Sequence, residues 1–131
     1  MKVAVKAEVC VEVLIVEDNE ENSLLAQKIL SYYGFSTIVS PHGNAALEYC
    51  SKKTPDIILM DLSLPDIDGM EVTRLLRKRE EYKNVPIIAL TAHAMRGIQE
   101  IVHEAGLNDF LIKPFLPNDL IGIVRKYLNK S

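Results

Sequence analysis

Residues 56–71 read DIILMDLSLPDIDGME: four apolar residues, Ile57 to Met60, run without a polar break into Asp61, and a turn-rich stretch with Pro65 and Gly69 follows. A short apolar run bounded by turn signals reads as a strand buried on both faces, the kind found in parallel sheets covered by helices. Four further runs have the same look: Val13 to Val16, Phe35 to Val39, Val85 to Leu90 and Phe110 to Ile112. The runs are rich in β-branched residues, as strands favour.

Segments with helical spacing lie between the runs. Leu120, Ile123, Val124, Tyr127 and Leu128 fall on one face of the last, with Arg125, Lys126 and Asn129 pointing away. Leu25, Ile29 and Leu30 form a stripe ending at Gly34, and Ile98, Ile101, Val102 and Ala105 form one ending at Gly106. Val72, Leu75 and Leu76 follow Gly69, and Ala45, Ala46, Leu47 and Cys50 support a shorter helix. Five alternating βα units predict an α/β, doubly wound, five-stranded parallel sheet with five helices, flavodoxin-like, in the order 2-1-3-4-5. In such folds the ligand sits beyond the carboxyl ends of the strands.

The 131 residues suit one domain. A composition 48% hydrophobic and 25% charged, with net charge -3, predicts a soluble globular protein without an electrostatic grip on nucleic acid. No apolar run approaches a membrane span, and Lys6 and Glu8 interrupt the amino-terminal apolar stretch, so a cytoplasmic protein with no membrane partner is expected. Cys10 and Cys50 match neither a redox pair nor a zinc spacing. Residues 1–10 either lengthen the first strand or form an extension, and residues 11–131 make the domain.

The strand ends carry the chemistry. The first run leads into Glu17 and Asp18, the third ends at Asp61, the fourth at Thr91 and the fifth at Lys113-Pro114. One carboxylate there is explained by helix capping. Three converging on one crevice repel one another unless a cation intervenes. All-oxygen ligands select a hard divalent ion, Mg²⁺ in preference to Ca²⁺, with Mn²⁺ able to substitute. Lys113 and Thr91 add an ammonium and a hydroxyl, completing an anion clamp, and Asp61 is the central candidate to accept a phosphoryl group as an aspartyl phosphate.

VLIVEDN, DIILMDLSLPDIDGME, PIIALTAHA and LIKPF together resemble the successive signatures of response-regulator receivers, in that family's order and spacing, over about Val11 to Asn129. The resemblance implies that Asp61 is the phosphoacceptor. It further implies that Asp18 and Asp61 ligate Mg²⁺ with the Ser63 carbonyl, that Glu17 helps through water, and that Thr91 and Lys113 contact phosphoryl oxygens. The donor is a sensor histidine kinase or histidine phosphotransfer protein, and the Lys113-Pro114 peptide is cis. Thr91 and Phe110 occupy the switch positions, although phenylalanine lacks a hydroxyl. Ser63 and His93 sit where receivers tune phosphate loss. His42 and His103 show no pairing that suggests metal binding or phosphotransfer, and all three histidines read as non-catalytic.

The likeness is to free-standing single-domain receivers, and AHAMRG is similar to the cell-fate type. The signal then leaves by protein contact on the fourth helix, fifth strand and fifth helix, around Met95 to Gly106 and Asn118 to Tyr127. A flavodoxin is disfavoured because Glu17, Asp18, Glu20 and Glu21 would repel a phosphate in the first loop, and an aspartyl phosphatase because position 20 is glutamate. A receiver fragment of a larger hybrid kinase and a phosphorylation-independent scaffold stay as alternatives.

Overall fold

Each of the five apolar runs becomes a strand, and each spaced segment a helix. A computed structural model describes residues 11–92 and 96–128. Residues 1–10, His93, Met95 and Asn129, on which some of the expectations fall, lie outside the described residues. In chain order the elements are β1 (Glu12–Val16), α1 (Glu20–Tyr32), β2 (Ser36–Ser40), α2 (Gly43–Lys52), β3 (Ile57–Asp61) and α3 (Gly69–Arg77). A 3₁₀ turn (Glu80–Tyr82) follows, then β4 (Ile87–Thr91), α4 (Ile98–Glu104), β5 (Asp109–Ile112) and α5 (Pro117–Leu128). All pairings are parallel and the order is β2-β1-β3-β4-β5, as the alternation predicts.

The unbroken apolar runs are explained by what lies on either side. Leu14, Val16, Ile58, Met60, Ile87 and Ala89 point to one core with Ala46, Cys50, Val72, Leu76 and Val102 from α2, α3 and α4. Their strand neighbours Val13, Ile15, Ile57, Leu59, Ile88 and Leu90 point to the other, against Ala26, Leu30, Leu120 and Val124 from α1 and α5. Full burial of each such valine, leucine, isoleucine or methionine side chain stabilises the fold by about 1.5–3 kcal/mol, and the three central strands, β1, β3 and β4, carry no polar residue between their end residues.

Four local expectations are corrected. Phe35 is not in β2: its N–H bonds back to the Leu30 carbonyl and so completes the end of α1. Val85 is not in β4, whose ladder starts at Ile87; Pro86 brings no N–H, and the Val85 carbonyl accepts from Arg77. Leu25 and Ile101 sit at the edges of their helical stripes and are exposed; Ala26 lies inside in place of Leu25, while Ile98, Val102 and Ala105 are buried as expected. Helices α1 and α4 are stopped by Gly34 and Gly106, whose φ of 92° and 97° only glycine adopts without cost.

The sheet end remote from Asp61 is gathered by one side chain. The Arg77 guanidinium donates from Nε to the Gly106 carbonyl at 2.9 Å, from Nη1 to the Tyr82 and Val85 carbonyls, and from Nη2 to Asn108 Oδ1 at 2.9 Å. Tyr82, fully buried, places its hydroxyl 3.0 and 2.9 Å from the Cys50 and Lys53 carbonyls and closes the end of α2.

Candidate functional site: an acidic pocket at the strand ends

The sheet delivers its polar residues where the apolar runs stop. Glu17 follows β1 directly, and its N–H donates to the Ser40 carbonyl at 3.0 Å, so β2 fixes its backbone. Asn19 caps α1 by accepting from the Asn22 N–H at 2.9 Å, which turns the chain sharply after Asp18. Asp61 is the last residue of β3 and Thr91 the last of β4, and both are buried. Lys113 follows β5, its N–H donating to the Thr91 carbonyl at 2.7 Å, and the Lys113–Pro114 peptide is cis as expected.

These residues meet. Glu17, Asp18 and Asp61 each offer a carboxylate oxygen within 4.8 Å of the others, the first and last buried and Asp18 exposed to solvent. Lys113 Nζ lies 3.2 Å from Glu17 Oε1 and 3.4 Å from Asp61 Oδ1. Asp61 Oδ1 also accepts from the Ser63 N–H at 2.9 Å. Burial, the nearby Asp61 charge and a shared hydrogen bond with Asp61 raise the Glu17 carboxyl above its ordinary range, against the lowering effect of the Asn19 N–H and Lys113. Three carboxylates that approach so closely are a fitting receptor for a hard cation, and oxygen-only donors suit Mg²⁺.

Phe110 lies on β5 opposite Ala89, and Thr91 is opposite Ile112, so strand alternation sends Phe110 and Thr91 out on the same face. Phe110 is half-buried against the core on that side. His103 is exposed.

Three features escaped the sequence reading. Gly69, read as a turn-former, begins α3, and a Cβ there would overlap the Asp61 carbonyl oxygen and come within 3.1 Å of the Asp61 carbonyl carbon and Leu62 Cα. Asp66 accepts from the Gly43 and Asn44 N–H groups, each at 2.8 Å. His42 does have a carboxylate neighbour, with Nδ1 3.3 Å from Asp66 Oδ2, and the same Nδ1 accepts from the Ala45 N–H at 3.2 Å. The N-terminal position of Gly69 was readable from the Asp68-Gly69 pair; the Asp66 contacts carried no local signal, because the partners lie over twenty residues away.

A buried carboxylate at a central strand end, flanked by two others and bridged by lysine, defines an α/β domain built around an acidic pocket. Comparison with known proteins agrees: residues 13–125 match the response regulator receiver domain. The polar-differentiation response regulator DivK of Brucella ovis is 39% identical over 119 residues, covering 91% of this chain and 97% of the relative. The receiver domain of the sensor histidine kinase PA1611 of Pseudomonas aeruginosa, solved with magnesium coordinated in its active-site cleft, superposes with a TM-score of 0.85 at 37% identity, over 92% of this chain and 99% of that one. The chemotaxis protein CheY4 of Vibrio cholerae gives a TM-score of 0.86 at 25% identity, over 90% of this chain and 98% of that one. The chain belongs to the response regulator receiver family of two-component signalling, whose members are phosphoacceptor proteins. Among the described residues no helix is long and apolar enough to cross a membrane.

Proposed function

We propose that Asp61 accepts a phosphoryl group from a phosphohistidine on a sensor kinase or phosphotransfer protein. The carrying observation is its burial at the end of β3 with Glu17, Asp18 and Lys113 around its carboxylate. An Asp61 carboxylate oxygen attacks phosphorus in line with the P–N bond, which breaks, and its electron pair returns to the imidazole nitrogen of the donor. Lys113, 3.4 Å from Asp61, turns from Glu17 and Asp61 to the incoming equatorial oxygens, and the Thr91 hydroxyl takes another. Asp18, Asp61 and the Ser63 carbonyl would hold Mg²⁺ directly, with Glu17 acting through water. The ion supplies neutralisation of negative charge gathering on the phosphoryl oxygens. Water later attacks the acyl phosphate at phosphorus, releasing phosphate and restoring Asp61 in a self-catalysed step; Mn²⁺ substitutes.

The signal leaves through protein contact on α4, β5 and α5. A groove of about 410 Å³ supports this reading; it runs between α4 and β5, lined by Gln99, Val102, His103, Asp109 and Phe110, and Phe110 shares a sheet face with Thr91. Residues 11–131 act as one receiver domain and residues 1–10 as an extension, in the cytoplasm, without nucleic-acid or membrane partners. The near-complete coverage of the DivK relative supports a single-domain role.

Incubation with Mg²⁺ and acetyl phosphate, read by intact mass, tests the chemistry. One phosphoryl adduct in wild type, absent in Asp61→Asn, is expected. An adduct in both proteins moves the acceptor elsewhere, and none in either, with no response to beryllofluoride, leaves a scaffold.

A further inference from the structure

The amides of the first turn of α2 donate to side-chain acceptors, two of which come from outside the helix. A helix starts with N–H groups that have no intrahelical acceptor, and a residue just ahead of it ordinarily satisfies one. Here the Gly43 N–H donates to Asp66 Oδ1 and the Asn44 N–H to Asp66 Oδ2, both at 2.8 Å, while His42 Nδ1 takes the Ala45 N–H at 3.2 Å. The first helical bond, from the Ala46 N–H to the His42 carbonyl, follows at 3.1 Å. The contact is close-packed: a Cβ on Gly43 would meet Val72 Cγ2 at 2.9 Å and Ile67 Cβ at 3.2 Å. Burial works to raise the Asp66 carboxyl, but the N–H groups of Asn44, Gly43, Ile67 and Asp66 itself outweigh it and bring it to about 2. The bracket is therefore anionic at neutral pH, and an anion at a helix amino terminus is favoured by the dipole as well.

Asp66 belongs to the loop that leaves Asp61. That loop is tied at its start, where the Leu62 N–H donates to the Leu90 carbonyl at 3.1 Å and the Ser63 N–H to Asp61 Oδ1 at 2.9 Å. At its far end Asp68 caps α3 through the Met70 N–H at 2.9 Å. Between these ends, among the described residues, the Asp66 hydrogen bonds tie the loop to a different element. We infer that Asp66 is a positioning residue of the phosphoryl site: by bracketing the first two amides of α2, its carboxylate fixes the loop that holds the Ser63 carbonyl beside Asp61. This rests on the reading of Asp61, Asp18 and Ser63 given above. Asp66 touches neither the ion nor the phosphoryl group in this scheme, and acts through the loop alone.

The test uses the full chain as wild type, Asp66→Ala and Asp66→Asn. Mg²⁺ affinity is measured by calorimetry, amide hydrogen exchange at Gly43, Asn44 and Ser63 by NMR, and phosphorylation by acetyl phosphate across Mg²⁺ concentrations. Outer residues that hold ligands in place commonly control metal affinity by about 10–100-fold, so Asp66→Ala is expected to weaken Mg²⁺ binding by about tenfold. Exchange should quicken at Ser63 as well as at the two helix amides. Asp66→Asn, with one carbonyl acceptor in place of two oxygens, should fall between the other proteins and serves as the reading variant if alanine prevents folding. Faster exchange at Gly43 and Asn44 with unchanged Mg²⁺ affinity and unchanged Ser63 exchange makes Asp66 a helix cap only and overturns the inference. Wild type that fails to bind Mg²⁺ overturns the site reading and this inference together, whereas wild type and variants binding equally overturns the inference alone.

Discussion

Gly69→Ala asks whether the backbone of the phosphoacceptor is held by steric contact with α3. The added methyl would overlap the Asp61 carbonyl oxygen and stand 3.1 Å from two further backbone atoms, the Asp61 carbonyl carbon and Leu62 Cα. None of these is the free end of a flexible side chain, so relief requires the start of α3 and the end of β3 to separate. Restoring ordinary carbon contact distances takes a displacement on the order of 1 Å. Forcing extra volume into a packed site costs about 1–3 kcal/mol. For a domain of this size each kcal/mol corresponds to roughly 3–6 °C in melting temperature. The functional cost is expected to exceed the thermal one, since a misplacement of about 1 Å in a reacting group can slow a reaction by about 10²-fold. Calorimetric melting and the acetyl phosphate rate at saturating Mg²⁺ measure the two effects on one preparation. A variant that melts within a degree or two of wild type and is phosphorylated at the same rate refutes the steric argument. One that melts lower yet is phosphorylated normally separates stability from alignment and refutes the functional half.

Lys113→Ala removes the cation that lies between Glu17 and Asp61, so Mg²⁺ binding should tighten, on the order of tenfold, while phosphorylation slows by about 10²-fold; calorimetry and intact mass showing both quantities moving the same way would contradict the bridging role. Tyr82→Phe deletes a buried hydroxyl shared by the Cys50 and Lys53 carbonyls, and urea unfolding should show a loss of about 1–2 kcal/mol with the phosphorylation rate unchanged. Asp66 has a folded-state carboxyl depressed to about 2, so its stabilisation is present above the ordinary carboxylate value of about 3.9 and disappears as pH falls through the depressed one. The stability advantage of wild type over Asp66→Asn should therefore be constant near neutrality and close in strong acid, as denaturant titrations at a series of pH values will show; a gap equally wide at about pH 2 would count against the bracket.

The strands and the pocket were legible for one reason: in a sheet covered on both faces, polarity returns only where a strand ends, so Asp61, Thr91, Glu17 and Lys113 stand out as the first polar residues after apolar runs. The element limits were less so. Phe35 is as apolar as a strand residue, yet its N–H is committed to Leu30; Ser40 is polar, yet it ends β2 and receives the Glu17 N–H. Leu25 and Ile101 lie a fraction of a turn from the buried stripe, a margin that periodicity over one or two turns does not resolve. Asp66, Tyr82 and Arg77 act on partners far along the chain, or on several at once, and backbone carbonyls leave no trace in a sequence pattern.

The Arg77 knot divides the molecule into parts with different tolerance for redesign. Its guanidinium collects the turns before β4 and β5 at the end of the sheet remote from Asp61, where Asn108 adds a paired backbone and side-chain link to Ile87. Loops at the opposite end answer to the pocket instead. At the Arg77 end lysine is no substitute, having no planar fork with which to reach three carbonyls and an amide together.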